Sequence, residues 1–98
     1  MKAYVVVQET VDIEEIFNEY KSQVIASFEA YGGRFVTRGG NLTIVEGEWA
    51  HPRLVIIEFP TRQAVLDWYH SDRYQAILPL RKKSSRGNFV IVDGMPES

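Results

Sequence analysis

Six side chains stand where their types and spacing could do chemistry: Glu58, His70, Arg38, Glu46, Trp68 and Tyr69. Glu58 shares the strand parity of Leu54 and Ile56 in Arg53-Leu54-Val55-Ile56-Ile57-Glu58-Phe59, so an acid falls on an otherwise apolar face. Burying an ionised carboxylate is costly unless it is paired or takes up a proton. Glu58 is therefore a candidate catalytic acid or base, or a ligand anchor. A structural ion pair, or a strand-end residue reaching water, explains the same pattern. His70 is the second catalytic candidate, because its ordinary pKa lies near neutrality and a helix end favours its cationic form. The bland alternative is a surface histidine in a helix break.

Arg34 and Arg38 fall on one parity of a strand, with Val36 between them. Guanidinium forks suit a carboxylate or phosphate ligand, and Arg38 is the candidate anchor. The same forks could pair with Glu46 or Glu58 inside the protein, or simply face water. Glu46, just before Gly47, could line a cavity mouth or be an ordinary exposed strand end. Trp68 and Tyr69 would give apolar walls to a ligand site, Trp68 facing inward from its helix and Tyr69 pointing progressively away.

Other chemistries are poorly served. The chain has no cysteine, which removes disulfides, thiolate nucleophiles and Cys-based metal sites. Two histidines, His51 and His70, make a tight transition-metal site improbable, so no metal and no cofactor is expected. Gly32-Gly33 and Gly39-Gly40 match neither a phosphate-binding loop nor a dinucleotide fingerprint. Arg81-Lys82-Lys83 with Arg86 reads as a solvated helix end, Ser71 as a helix cap and His51 as an exposed loop residue. Net charge is −2 with both signs interspersed, so no nucleic-acid partner is expected. The N-terminal apolar run stops at Gln8, too short for a signal peptide, and no stretch could span a membrane. A cytoplasmic location is the expectation.

The elements that must position these residues follow from periodicity. At 98 residues, with 45% hydrophobic and 12% aromatic content, the chain reads as a single globular domain over 1–98 with a thin core. Residues 3–9 are apolar on both parities, as in a strand buried on both faces. Asp12 then caps a helix, with Glu15 completing a capping-box-like pair and Val11 and Ile16 at the staple positions. Ile13, Ile16, Phe17, Tyr20, Val24, Phe28 and Tyr31 form its apolar stripe, and Gly32-Gly33 ends it.

Residues 34–47 read as a second strand with a glycine bend at Gly39-Gly40, or alternatively as two strands joined there by a tight turn. Residues 53–59 form a third strand closed by Pro60. Thr61 caps a second helix to about His70, with Ala64, Val65 and Trp68 inward. A fresh cap at Ser71 lets Tyr74, Ile77 and Leu78 continue the apolar face. Pro79 predicts a kink or helix end, 81–87 a basic loop, 88–93 the last strand and 95–98 a frayed tail. The order β-α-β-β-α-β specifies a ferredoxin-like α+β domain, an antiparallel sheet with helices on one face. The runs at 3–7 and 54–57 become its central strands. Their apolarity on both parities requires a cover for the other face, and a second copy of the chain is the economical one.

Tyr31-Gly32-Gly33-Arg34-Phe35, Arg38-Gly39-Gly40, Glu46-Gly47, the run 53–60, and Trp68-Tyr69-His70-Ser71 with Tyr74-Gln75 resemble the domain-of-unknown-function family 1330, from Tyr4 to Gly94. Asp72 departs from the proline that commonly follows the serine. The resemblance implies the dimeric α+β barrel, in which two sheets pack face to face as a homodimer. Its relatives include cofactor-free monooxygenases, lactone isomerases, haem-handling enzymes and ligand-sensing modules, so the fold assigns no activity. Two functions stay open besides a pocket-free structural dimer. One is a cofactor-free enzyme acting on a small acidic or aromatic metabolite by acid/base chemistry. The other is a non-catalytic module that binds or senses a small-molecule ligand.

Overall fold

The computed structural model describes residues 1–96. Strand β1 (Ala3–Val11) leads into helix α1 (Glu14–Phe28) and a 3-10 turn (Glu29–Tyr31). Strands β2 (Arg34–Arg38) and β3 (Arg53–Phe59) follow, then helices α2 (Arg62–Tyr69) and α3 (Asp72–Ser84), and strand β4 (Ser85–Asp93). The sheet runs in the order β2-β3-β1-β4 with antiparallel neighbours, which puts β1 and β3 at its centre. This is the ferredoxin-like α+β arrangement. The part of the expected tail at 97–98 lies outside the described residues.

One face of the sheet carries the core. Val5, Val7, Val55, Ile57 and Phe59 point from β1 and β3 toward the helices, which return Phe17, Tyr20, Val24, Phe28, Val65 and Trp68. Trp68 is fully buried, and burial of a side chain that large stabilises by about 1.5–3 kcal/mol. Its Nε1–H donates to Ser27 Oγ at 2.9 Å, so the polar edge is satisfied inside the core. Thr61 Oγ1 accepts from the Ala64 N–H and Ser71 Oγ from the Tyr74 N–H, the two helix caps that residue type predicts. Gly32, at φ +78°, supplies the left-handed residue that ends the 3-10 turn.

Five local expectations are corrected. Asp12 does not cap α1: the helix begins after Ile13, and the Asp12 carboxylate instead accepts from Arg86 at 3.1 Å. The backbone N–H groups of Asp12 and Ile13 donate to the Ser84 carbonyl, and Glu14 and Glu15 complement the helix dipole. The second strand ends at Arg38, and 39–52 forms neither a continuing strand nor a hairpin. His51, expected to be exposed, is half-buried and its Nδ1 lies 2.9 Å from Thr10 Oγ1. Helix α3 continues through Pro79 to Ser84, because the ring sits on the solvent side while Tyr74, Ile77 and Leu78 anchor the inner side. The expected loop at 81–87 is therefore the last turn of α3 and the start of β4.

The fifth correction changes which faces the arginines occupy. Phe35 pairs with Ile57 but Thr37 pairs with Ile56, leaving Val36 as the extra residue of a bulge. An inserted residue switches the side-chain alternation beyond it. Arg34, opposite Glu58, thus lies on the helix-free face. Arg38, opposite Val55, lies on the helix-covered face.

Candidate functional site

Between the helix-covered face and helices α1 and α3 lies a recess of about 390 Å³ including its open mouth. The space in it that can hold solvent is about 30 Å³, room for about two water molecules. Its walls are apolar, with Phe17, Phe35, Trp68 and Phe89 prominent. Its charged groups are Glu9, Lys21, Arg38, Arg53 and Arg81, four cations against one acid.

Glu9 is placed by strand parity. It continues the inward series Ala3, Val5, Val7 and is only 4% exposed. Arg53, its register partner on β3, donates from Nε to Glu9 Oε1 at 3.1 Å. Burial pushes the Glu9 carboxyl above the ordinary glutamate range, and the charges of Arg53, Arg81 and Lys21 only partly oppose it. The Arg53 guanidinium lies over the Phe17 ring, 5.4 Å from its centroid. It also packs against Gly39, at φ +67°, where a Cβ would collide with Arg53 Nη1. Glycine at this turn lets Arg53 keep its place.

Two further guanidiniums face the recess. Arg38 stacks over Phe35, 4.5 Å from the centroid, and donates from Nη2 to the Lys21 carbonyl at 3.1 Å. Burial and then the charge of Arg53 make Arg38 hold its proton less tightly than usual. Arg81, in the last turn of α3, lies over Phe89, 5.1 Å from that ring's centroid. Its Nε is buried and has no hydrogen-bond partner among the described residues. Nearby, the hydroxyls of Tyr20 and Tyr74 sit 2.9 Å apart, and burial raises both phenols so that they stay protonated at neutral pH. A carboxylate that can take a proton, beside cations and phenols that can stabilise negative charge, is the constellation for acid/base chemistry on an anion.

Of the six residues singled out from the sequence, the structure brings Arg38 and Trp68 to this recess. Tyr69 backs it from outside, its ring packed on Trp68, Tyr74 and Phe89. It lines a separate shallow groove with His70, which is exposed at the end of α2 and meets Tyr69 edge-on. Glu58 lies on the helix-free face, paired with Lys2 Nζ at 2.8 Å and Arg34 Nη2 at 2.7 Å. Those partners hold its carboxyl below the usual range, the hydrogen bond from Lys2 first. Glu46 is exposed in the 39–52 loop, in a groove shared with Thr37, Trp49 and Leu54. Glu58 and His70 are thus not brought together, and the sheet separates Glu58 from Arg38.

Glu9, Arg53, Arg81 and Tyr20 help line the recess but were not singled out by residue type. The parity that marks Glu58 marks Glu9 equally, after Val5 and Val7. Arg81 follows Tyr74 and Ile77 at helical spacing, a signal that Pro79 obscures. Among the described residues, no cluster of three or more His, Cys, Asp or Glu could hold a metal, and no helix is long and apolar enough to cross a membrane.

The family model described as a domain of unknown function (DUF1330) matches residues 2–95. No curated protein matches the chain. Solved structures of similar fold include a protein of unknown function from Rhodopseudomonas palustris, at 15% identity and a TM-score of 0.76 over 98% of this chain and 84% of that one. SnoaB, a cofactor-independent oxygenase from Streptomyces nogalater, aligns at 14% identity and a TM-score of 0.66 over 98% and 95% of the two chains. An antibiotic biosynthesis monooxygenase aligns at 15% identity and a TM-score of 0.54 over 98% and 100%. At these identities the likeness shows the fold alone, the ferredoxin-like α+β arrangement.

Proposed function

The chain belongs to the family of the domain of unknown function DUF1330, and from the lining of its recess we propose that it binds a small acidic molecule and moves a proton on it through Glu9, without a cofactor. The observation that carries this reading is a buried carboxylate beside an excess of cations in an otherwise apolar recess. Four cationic side chains around one acid favour an anionic guest, and the low-dielectric walls strengthen that attraction. Glu9, with its proton affinity raised by burial, holds a proton more readily than an ordinary glutamate, as a general acid or base must. SnoaB is named as cofactor-independent, so side chains alone driving a reaction in this fold is not without parallel.

In this reading Arg38 and Trp68 keep the ligand-binding roles expected of them, and Tyr69 braces the wall from behind. Glu58, Glu46 and His70 take no part in the chemistry. The Glu9–Arg53 pair also suits a second reading, a non-catalytic sensor in which the carboxylate holds the cation in place for a bound anion. The homodimer belongs to both readings: a second copy would cover the helix-free face.

The test is thermal unfolding with a panel of small carboxylates and their neutral amides, followed by recovery of each ligand. A ligand at a hundred times its Kd stabilises the fold by about 2.7 kcal/mol, a readily measured rise in Tm. Carboxylates are expected to stabilise and amides not, and at least one stabilising acid should be recovered altered. Glu9→Gln should keep the stabilisation and lose the conversion. Stabilisation without any conversion supports the sensor, and no stabilisation by any acid overturns both readings.

A further inference from the structure

The segment Asn41-Leu42-Thr43-Ile44-Val45-Glu46 has the β-branched composition of a strand, yet it joins no ladder in its own chain. Among the described residues, no backbone group of 41–46 bonds to another backbone group. Ile44 and Val45 are 53% and 88% exposed. The base of this arm is fixed all the same: the Gly39 N–H donates to the Leu54 carbonyl at 2.8 Å. A complementary feature lies at the opposite edge of the sheet. β4 is hydrogen-bonded to β1 along nine residues in unbroken register, and no strand flanks its other side among the described residues. It has neither the bulge nor the proline that blunts an edge, whereas β2, the other edge, is short and bulged. Within one chain β3 and β1 stand between the arm and β4, so the two leave each other unpaired.

We infer that the arm adds as a strand to the free edge of β4 in a second copy of this chain, and that the second copy returns the same contact. This rests on the homodimer proposed above and goes beyond it. Strand direction favours this occupant. β2 and β4 are antiparallel, because each of the three neighbouring pairs across the sheet reverses direction. A two-fold axis along the strands lays β4 of one copy over β2 of the other and keeps their directions opposed. An arm continuing β2 then meets β4 antiparallel. Charge agrees. Antiparallel pairing sets the acidic end of the arm, Glu46 and Glu48, beside the start of β4, where Lys82, Lys83 and Arg86 cluster. Among the described residues, no ion pair engages Glu46, Glu48, Lys82 or Lys83. The slab presents a face of 39 × 37 Å, ample for the roughly 800 Å² that each partner of a stable interface buries. Two arms on two edges close the assembly and leave no β4 edge open to a third copy.

The test uses wild-type dimer mixed from isotope-labelled and unlabelled chains. Nuclear Overhauser contacts between copies are expected from the backbone of 41–46 to that of 85–93. Amide exchange should slow at alternate residues of 41–46, since alternate N–H groups of an edge strand face its neighbour. Dilution to the single-chain mass, or Val90→Glu, should return those amides to free exchange. Proline variants give a second reading. Adjacent N–H groups face opposite sides, so one of Thr43→Pro and Ile44→Pro should raise the dimer Kd about tenfold or more above the other. A dimer whose 41–46 amides exchange freely, with no contacts to 85–93 of the other copy, overturns the arm and leaves the homodimer standing. A single-chain mass throughout overturns both.

Discussion

The two buried acids, Glu9 and Glu58, have opposite surroundings and opposite consequences for pH. Burial dominates at Glu9 and raises its pKa, so the folded chain holds this proton more tightly than the unfolded chain. Between the ordinary value of 4.5 and the raised one, the folded state carries the extra proton. Stability from this group is therefore greatest at low pH and falls as pH rises through that window. At Glu58 the pairing with Lys2 and Arg34 dominates and lowers the pKa. Its contribution is present above 4.5 and is lost as pH falls through the lowered value. Glu9→Gln should remove the downward slope above 4.5, which urea midpoints measured from pH 4 to 8 would reveal as a flatter profile than wild type. A wild-type slope unchanged in the variant would mean that Glu9 does not titrate in that window. The difference between the acids also explains what the sequence conceals: parity marks both as buried, but only the register with Arg53, and the position of Lys2 and Arg34, tells which one sits in a recess.

At the scale of elements, the strand and helix order was legible because its signals are local. Short β-branched runs apolar on both parities mark β1 and β3, caps at Thr61 and Ser71 start α2 and α3, and glycine ends the 3-10 turn. What periodicity misses are the places where tertiary contacts override it. Pro79 does not stop α3, since the inward anchors Tyr74, Ile77 and Leu78 hold both sides of it in one helix. That continuation is what carries Arg81 inward and turns an apparent solvated basic run into part of the recess. The bulge at Val36 is equally silent in the sequence, yet it sends Arg38 to the helix-covered face and leaves Arg34 on the other. Asp12 has the right residue type for a cap, but Arg86 of β4 offers it a charge partner instead. Two of the four cations of the candidate site therefore depend on two events, a tolerated proline and a one-residue bulge, that residue types do not announce.

At the scale of the whole molecule, the chain is a slab of 39 × 37 × 16 Å, one sheet with one layer of helices. Its bare face exposes Val36, Val90 and Val92, with half-buried Val6 and Ile56 between them. The loop at 39–52 adds Ile44, Val45 and Trp49 on the same side, beside Thr37 and Leu54. A monomer in water gains nothing from a patch of this kind, whereas a second sheet packed on it removes the apolar surface from solvent. Light scattering after size exclusion should give twice the chain mass across a hundredfold range of concentration. Val90→Glu, which places a charge in that face, should shift the protein toward the single-chain mass while leaving its helix content intact. A wild-type mass of one chain throughout would contradict the homodimer.

The central claim is that the working acid is Glu9 in the helix-covered recess and not Glu58 on the bare face. Its most direct test is an NMR titration of the side-chain carboxyl carbons of labelled glutamates, without and with the carboxylate that raises the Tm most. Glu9 is expected to titrate above the ordinary glutamate range and to shift when that carboxylate is added, while Glu58 titrates below that range and does not respond. An ordinary titration at Glu9 with no response to the carboxylate, or a response at Glu58 in its place, would contradict a working role for Glu9.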